Sequence, residues 1–246
     1  MKPSPKKIFL HGWATDRRVW KEELRIFKGS LAVNLPGHGN KRQWNVPTLY
    51  PALECLMDSV KGEGDIIGIG WSLGAEVLIA AAKKIRMRAL VLVGATPSFV
   101  EREGFAWGKK KTLVKRMLMD MRKSPEETLK RFYALNFTGD ELKKKRAKDF
   151  LKLYEKPMGG LDLEGIITAL SSLMTTDLRR ELREVNLPTL IIHGAKDEVV
   201  PVGAAEYLKE NIKGAQIKIF KEAGHAPFVS EKEEFDRTVE RFIAGI

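Results

Sequence analysis

The sequence has almost no cysteine and no long apolar run. Its single cysteine, Cys55, cannot form an intramolecular disulfide or a cysteine-rich metal site. No stretch reaches the roughly 18 consecutive apolar residues that a membrane span requires, and the N-terminal residues lack the pattern of a signal peptide. We therefore expect a cytoplasmic protein with no membrane partner, in which Cys55 is a buried structural thiol.

Acidic side chains are also in short supply. The chain has 43 Lys and Arg against 32 Asp and Glu, a net charge of +11. Residues 107–156 hold 16 of these basic residues and 7 acidic ones, so this fifth of the chain carries nine of the net charges. Two interpretations stay open: a solvated helical face in a Lys/Glu-rich, heat-adapted protein, or a surface that attracts an acidic partner.

Apolar runs alternate with helical patterns along most of the chain, which predicts a parallel sheet with helices on both faces. The predicted strands are 7–10, 31–34, 65–70, 88–93, 188–193 and 216–220. The predicted helices beside them are 19–27, 48–61 with Thr48 as a candidate N-cap, 73–84, 203–212 and 231–244. A chain of 246 residues fits one α/β domain with an insertion better than two independent domains.

The insertion is predicted at residues 97–184. This stretch shows no strand pattern, only helical patterns broken at 124–125, 138–139 and 157–160. We therefore expect a helical cap that is inserted between two halves of an α/β core, residues 1–96 and 185–246.

A Gly-x-Ser-x-Gly motif, residues 70–74, stands between a predicted strand and an alanine-rich helix. In that context the serine, Ser72, lies on a tight strained turn with its hydroxyl exposed, and the flanking glycines leave room for close approach. The helix that follows favours negative charge at its N-terminus. The pattern predicts a nucleophile; the alternative is a glycine-rich turn that carries an incidental serine.

A serine nucleophile needs a base and a group that orients the base. His225 follows the last predicted strand, at the carboxyl edge where parallel sheets gather their sites. Asp197 follows the preceding strand and stands between serine and histidine in chain order, as this architecture requires. Glu198 and Asp177 are competing acids. The other histidines, His11, His38 and His193, are expected to be structural, with His193 facing the packed interior.

The tetrahedral intermediate of acyl transfer needs backbone donors for its oxyanion. The N–H of Leu73 follows the nucleophile directly. The N–H of Trp13 lies in the loop after the first strand, although Trp13 is equally suited to be a plain core aromatic. These two groups are the predicted oxyanion hole.

Several motifs together carry a family resemblance. They are His11-Gly12-Trp13 with Val19-Trp20, Leu35-Pro36-Gly37, the serine motif at 70–74, Arg131-Phe132-Tyr133-Ala134-Leu135, Thr176-Asp177-Leu178-Arg179 and His225-Ala226-Pro227-Phe228. The chain resembles the α/β-hydrolase superfamily over essentially its whole length. Within that superfamily it most resembles the pimeloyl-acyl carrier protein methyl ester esterases of biotin synthesis.

The resemblance implies a serine carboxylesterase that uses neither a metal nor an organic cofactor. The substrate is the methyl ester of a pimeloyl group on acyl carrier protein, and Ser72, Asp197 and His225 are the triad. The residues implied to bind substrate are Trp13, Ser72, Leu73, His225 and a cap segment made of Phe132, Tyr133, Ala134, Leu135 and Asn136. Acyl carrier protein is acidic, so we expect Arg131, Lys144 and Lys148 to contact it. A monomer is expected, with no nucleic acid partner.

Two alternatives remain at this point. One is a general short-chain carboxylesterase that acts on free esters. The other is a non-catalytic binding protein that has kept the fold and uses its basic face, because a fold does not by itself imply a function.

Overall fold

One parallel sheet forms the centre of the molecule. The structure is a computed structural model that describes residues 5–39, 42–155 and 162–246. The strands are β1 (Lys6–Leu10), β2 (Leu31–Val33), β3 (Ile66–Trp71), β4 (Met87–Val93), β5 (Thr189–Gly194) and β6 (Gln216–Phe220). They lie in the order β2-β1-β3-β4-β5-β6, and every pairing between them is parallel. The predicted α/β-hydrolase fold class is confirmed.

The central strands are apolar on both faces because helices cover both sides of the sheet. Every residue of β3 and β5 is buried, and in β4 only Arg88 is exposed. Continuous Ile, Leu and Val runs of this kind are typical of strands that lie between two layers of helices. No end of a predicted strand differs from the observed end by more than one residue.

The helices account for most of the remaining described residues. They are α1 (Glu23–Ile26), α2 (Tyr50–Ser59), α3 (Leu73–Ala81), α4 (Lys111–Lys123), α5 (Pro125–Leu135), α6 (Lys145–Tyr154), α7 (Leu163–Thr175), α8 (Gly203–Asn211), α9 (Pro227–Ser230) and α10 (Lys232–Ala244). Short 3-10 turns occupy Arg17–Trp20, Glu141–Lys143 and Glu181–Glu184. No helix in these described ranges is both long and apolar enough to cross a membrane.

Two helix predictions were wrong in detail. The predicted helix 19–27 is split into the 3-10 turn Arg17–Trp20 and the short α1. The N-cap of α2 is Leu49 rather than Thr48, whose hydroxyl only accepts a long hydrogen bond of 3.4 Å from the Tyr50 N–H. Pro51 explains the later start, because its fixed φ suits the first helical turn.

Residues 97–184, which we name the cap segment, form α4 to α7 together with isolated bridges such as Val100 to Lys109. Arg102, near the start of this segment, connects it to the end of α7, since its guanidinium donates to the carbonyls of Met174, Thr175 and Thr176. The bounds at 97 and 184 stay a prediction. The predicted break at 157–160 lies outside the described residues.

Candidate active site

The serine motif is a tight turn between β3 and α3. Ser72 is half-buried and has φ 54° and ψ −118°, a conformation that only a well-supported turn maintains. A Cβ on Gly70 would lie 2.6 Å from the Ala75 nitrogen, and one on Gly74 would lie 2.5 Å from the Leu10 carbonyl oxygen. The two glycines are therefore required because the helix and β1 approach the turn so closely.

Backbone strain is concentrated at this edge of the sheet. Ala14, in the loop after β1, has φ 57° and is the one other non-glycine residue with positive φ in the described part of the chain. The Tyr133 hydroxyl donates to the Ala14 carbonyl at 2.6 Å. Strained loops thus follow both β1 and β3, the two strands expected to supply the oxyanion hole and the nucleophile.

Asp197 and His225 come from the loops after β5 and β6 and meet directly. The distance from His225 Nδ1 to Asp197 Oδ2 is 2.6 Å, and both side chains are buried. The N–H groups of Val199 and Val200 each donate to Asp197 Oδ1 at 2.8 Å. The carboxylate is therefore fixed by backbone donors while its second oxygen faces the imidazole.

The charge state of Asp197 suits the role of an orienting group. Burial alone would raise the pKa of this carboxyl, but the adjacent His225 and the hydrogen bonds from His193 and His225 outweigh burial and hold the pKa well below its usual range. Asp197 is therefore ionised at neutral pH. An ionised acceptor on Nδ1 leaves Nε2 of His225 as the basic nitrogen.

Neither competing acid contacts His225 in the part of the chain that the structure describes. The Asp177 carboxylate accepts two hydrogen bonds of 2.8 Å from Arg179, which also holds the pKa of Asp177 below its usual value. Glu198 is exposed, and its carbonyl accepts from the Lys109 ammonium. Of the three acids, only Asp197 touches His225.

The backbone around His225 is held from two sides. The His225 N–H donates to the Asn136 carbonyl at 2.9 Å, and the Trp71 indole N–H donates to the His225 carbonyl at 2.9 Å. The preceding N–H, that of Gly224, donates to the Glu141 carboxylate at 3.0 Å. The cap segment and the serine motif therefore position the histidine together.

His225 Nε2 is buried and has no hydrogen-bond partner among the described residues. In particular, Nε2 makes no hydrogen bond with Ser72, so this nitrogen is free to accept a proton. Gly94, at the end of β4, has φ 55°, and a Cβ there would lie 2.8 Å from Cε1 of His225. The chain thus needs a glycine at this position to leave room for the imidazole.

The backbone N–H groups of Trp13 and Leu73 donate no hydrogen bond to any described residue. Leu73 is the first residue of α3, where amides point out of the helix. The Trp13 side chain is fixed by a 2.8 Å hydrogen bond from its indole N–H to the Ile166 carbonyl in α7. Two unused donors therefore stand on the two loops that flank the serine.

The predicted substrate segment, residues 132–136, lies partly against these loops. Phe132 packs edge-on against Trp13 with ring centroids 4.8 Å apart. Tyr133 is buried against Ala14, as described above, and Asn136 contacts the histidine loop. Ala134 is partly buried and Leu135 is exposed, and their part in substrate binding stays a prediction.

The remaining histidines divide into two kinds. His11 and His38 are fully buried; burial lowers the pKa of His11 to about 4 and that of His38 to about 3. Each ring donates through Nδ1 to a neighbouring carbonyl, that of Gly12 or that of Pro36. His193 is buried as expected, but it does more than pack, because its Nε2 lies 3.1 Å from Asp197 Oδ2.

The predicted partner contacts lie on the outside of the cap segment. The Arg131 guanidinium lies 3.8 Å from the Asp120 carboxylate, and the Lys144 ammonium lies 3.0 Å from that of Glu231. Lys148 is exposed and forms no ion pair with another described residue. Lys148 is therefore the one of the three whose charge is not already paired.

Four residues shape this site in ways that the sequence did not predict: Gly94, Glu141, His193 and the Trp71 side chain. Gly94, Glu141 and Trp71 act through contacts between segments that are far apart in the chain, whereas His193 contacts Asp197, four positions later. For Gly94 and His193 a signal existed, because both end strands that point at the site. For Glu141 the sequence offered none.

Known proteins resemble this chain over nearly its full length. A sequence profile of the alpha/beta hydrolase family matches residues 8–238. A pimeloyl-[acyl-carrier protein] methyl ester esterase from Nitrosomonas europaea is 34% identical, over 94% of this chain and 92% of that protein. One from Aromatoleum aromaticum is 31% identical, over 98% and 99%. The solved structure of an esterase from Exiguobacterium antarcticum covers 99% of this chain and 93% of that one, with a TM-score of 0.85 and 24% identity.

Proposed function

The chain belongs to the alpha/beta hydrolase family and is a carboxylic ester hydrolase, and we propose that it hydrolyses the methyl ester of a pimeloyl group carried on acyl carrier protein, with Ser72, His225 and Asp197 as its triad. The observation that carries the triad is the 2.6 Å hydrogen bond between His225 and Asp197 at the edge where the strained Ser72 turn lies. The names of the relatives support the substrate, and a place in biotin synthesis is what the family resemblance implies.

In the first half-reaction the Ser72 hydroxyl attacks the ester carbonyl carbon while His225 Nε2 takes its proton. Asp197 holds the Nδ1 proton and stabilises the imidazolium that forms. The tetrahedral intermediate collapses when His225 returns the proton to the methoxy oxygen. Methanol leaves, and the acyl group stays on Ser72 as an ester.

In the second half-reaction water takes the place of the serine hydroxyl. His225 removes a proton from water, the resulting nucleophile attacks the acyl-enzyme, and the proton passes to the Ser72 oxygen as the acyl bond breaks. The products are the free pimeloyl carboxylate, still joined to its carrier, and the regenerated serine.

The N–H groups of Trp13 and Leu73 bind the oxyanion in both half-reactions. This assignment is supported because neither N–H donates to any acceptor among the described residues. Donors that need no rearrangement stabilise charge as it develops, and the loss of one such donor costs about 10²- to 10³-fold in turnover. Strain at Ser72 and Ala14 is the cost of holding these loops in place.

Phe132, Tyr133 and Asn136 form the inner side of the substrate-binding segment, since they contact the loops of the site. The acidic carrier docks on the outer side of the cap segment. Its charge is complementary to the surplus of Lys and Arg at residues 107–156. Lys148 is the leading contact because its ammonium is exposed and unpaired, whereas Arg131 and Lys144 must exchange an existing acidic partner.

The test compares three esters: pimeloyl-carrier methyl ester, free dimethyl pimelate and a short p-nitrophenyl ester. We expect the wild type to favour the carrier-linked ester and Ser72→Ala to abolish hydrolysis of all three. If activity depends on Ser72 but shows no preference for the carrier, the triad stands and the protein is a general short-chain esterase. Full activity in Ser72→Ala would overturn the triad.

A further inference from the structure

Two imidazoles share one oxygen of the Asp197 carboxylate. Oδ2 lies 2.6 Å from Nδ1 of His225 and 3.1 Å from Nε2 of His193. His193 is the fifth residue of β5, four positions before Asp197, and its side chain is completely buried. The contact is therefore built into the end of the strand that also carries Asp197.

The protonation of the His193 ring follows from its neighbours. Nε2 is also 2.9 Å from the Val200 carbonyl oxygen, so both groups near this nitrogen are acceptors. Nε2 must carry a proton to satisfy either of them. Nδ1 is buried with no partner among the described residues, which is consistent with an unprotonated nitrogen.

We propose that His193 is a positioning residue whose Nε2–H holds the Asp197 carboxylate in the orientation that serves His225. Because both rings lie against Oδ2, His193 also weakens the attraction between the negative charge of Asp197 and the His225 ring. This inference rests on the proposed triad. Three groups are hydrogen-bonded to the carboxylate: the N–H groups of Val199 and Val200 on Oδ1, and Nδ1 of His225 on Oδ2. The Nε2–H of His193 is hydrogen-bonded to the Val200 carbonyl and also lies 3.1 Å from Oδ2, so it is the fourth polar hydrogen beside the four lone pairs of the carboxylate.

Loss of the His193 donor has two consequences. The carboxylate becomes less firmly oriented, which lowers turnover because the base depends on it. Oδ2 also becomes a stronger acceptor for His225 alone, which favours the imidazolium form. An imidazolium cannot act as the base, so the acid limb of the kcat/KM profile moves to higher pH.

Other ionisable groups near the carboxylate are few. Lys196 and Glu198 lie in its own loop, Glu222 and His225 come from the segment after β6, and Glu141 comes from the cap segment. Lys196 pairs with Glu222 at the exposed rim, and Glu198 points to solvent. Glu141 is buried and accepts from Gly224. His193 and His225 are therefore the only ionisable side chains in these loops that touch Asp197.

The experiment compares His193→Met, which removes the donor, with His193→Gln, whose amide restores a donor near Nε2. The readout is the pH profile of kcat/KM on the p-nitrophenyl ester. We expect His193→Met to lose roughly tenfold in kcat/KM and to shift the acid limb upward by about half a pH unit. His193→Gln should keep the wild-type midpoint and lose less activity. Equal profiles for Met and wild type, or for Met and Gln, would overturn the proposal.

Two controls separate positioning from folding. His38→Met removes another fully buried imidazole that does not touch the triad, and it should leave the midpoint of the acid limb unchanged. Histidine ¹⁵N spectra of the wild type need no variant to fold. They should show a protonated Nε2 and an unprotonated Nδ1 at position 193, and the opposite tautomer would contradict the proposal.

The Ser72→Ala variant distinguishes a failure of the proposed function from a failure of the positioning role of His193. If that variant retains ester hydrolysis, the proposed function fails and His193 has no base to serve. If Ser72→Ala is inactive while His193→Met keeps the wild-type profile, only the positioning role is overturned.

Discussion

The edge of the sheet and the outer face of the cap segment hold their polar groups in opposite ways. At the edge, Asp197 and His225 are buried and their positions are determined by hydrogen bonds from neighbouring backbone groups. On the cap, Lys144 and Lys148 are exposed on long flexible side chains. Reaction chemistry needs atoms fixed to a fraction of an ångström, whereas steering of a charged partner needs only charge in the right region.

The two regions meet at the histidine loop. The Asn136 carbonyl and the Glu141 carboxylate, both from the cap segment, accept from the backbone of His225 and Gly224. The cap segment therefore helps to hold the histidine loop in place. Its inner side belongs to the hydrogen-bonded edge of the sheet, and its outer side is exposed to solvent.

The largest effect should come from crowding the rigid edge with a single methyl group. Gly94→Ala would place Cβ 2.8 Å from Cε1 of His225 at a positive φ. We expect a loss of about 100-fold in kcat from the displaced imidazole. The matched control is Gly62→Ala, which has φ 81° and nothing within 4 Å of the new Cβ. It carries the backbone strain without the clash, so its kcat should equal that of the wild type; equal losses would refute the explanation.

A second test uses the buried imidazoles of the core. The pKa of His38 falls from 6.5 to about 3 on folding, so the unfolded chain binds more protons between these values. Stability from this group is fully present above pH 6.5, is lost progressively as the pH falls below that value, and is gone once the pH has fallen through about 3. His38→Gln should reduce the drop in unfolding free energy between pH 7 and 4.5 by about 2 to 3 kcal/mol.

Urea unfolding of wild type and His38→Gln at both pH values measures this difference. Glu23 acts in the opposite direction, because burial raises its pKa to about 7, so its stabilising contribution is present below 4.5 and is lost as the pH rises through about 7. Its effect cancels in the comparison of the two proteins. An unchanged pH slope in His38→Gln would contradict the assignment of a neutral buried ring.

The contact between cap and edge can be weakened by Glu141→Ala. This change removes the acceptor for the N–H groups of Thr138 and Gly224. We expect roughly a tenfold loss of kcat, since the base is less well placed, and a lower thermal midpoint. Glu126→Ala, an exposed acid in the first turn of α5, is the control. A loss confined to stability, with kcat unchanged, would show that the cap does not position His225.

The smallest effect is expected on the outer cap. Lys148→Glu should raise KM for the carrier-linked ester by about two- to fivefold at low salt and leave the free ester unaffected. The control is Lys213→Glu. Lys213 is exposed and precedes β6, so it lies at the amino ends of the strands, away from the edge that carries the site. Added salt should reduce the difference. Equal losses on both esters would remove Lys148 from carrier docking.

Local pattern was enough to predict the sheet and the three candidate triad residues. Ser72 follows its strand directly, Asp197 and His225 lie in the loops after theirs, and parallel strands bring their carboxyl ends to one edge. The start of α2 was misplaced because a Thr signal competed with Pro51, which determined the first turn. The split of the predicted helix 19–27 reflects packing of Val19 and Trp20 that a helical period does not encode.

The contacts that support the triad could not be predicted from pattern. His193 reaches Asp197 only because the loop after β5 turns back on its own strand. Glu141 reaches Gly224 across 83 positions of the chain, and no spacing rule links them. Gly94 gave a visible signal as a glycine at a strand end, but its meaning depends on where the His225 ring lies.

The most direct test of the account is covalent labelling with a fluorophosphonate, followed by peptide mass spectrometry. Such a probe reacts with a serine that a neighbouring base activates. We predict one adduct, on Ser72, formed in step with loss of esterase activity and much more slowly in His225→Ala. An adduct on another residue, or continued hydrolysis by fully labelled protein, would contradict the proposed site.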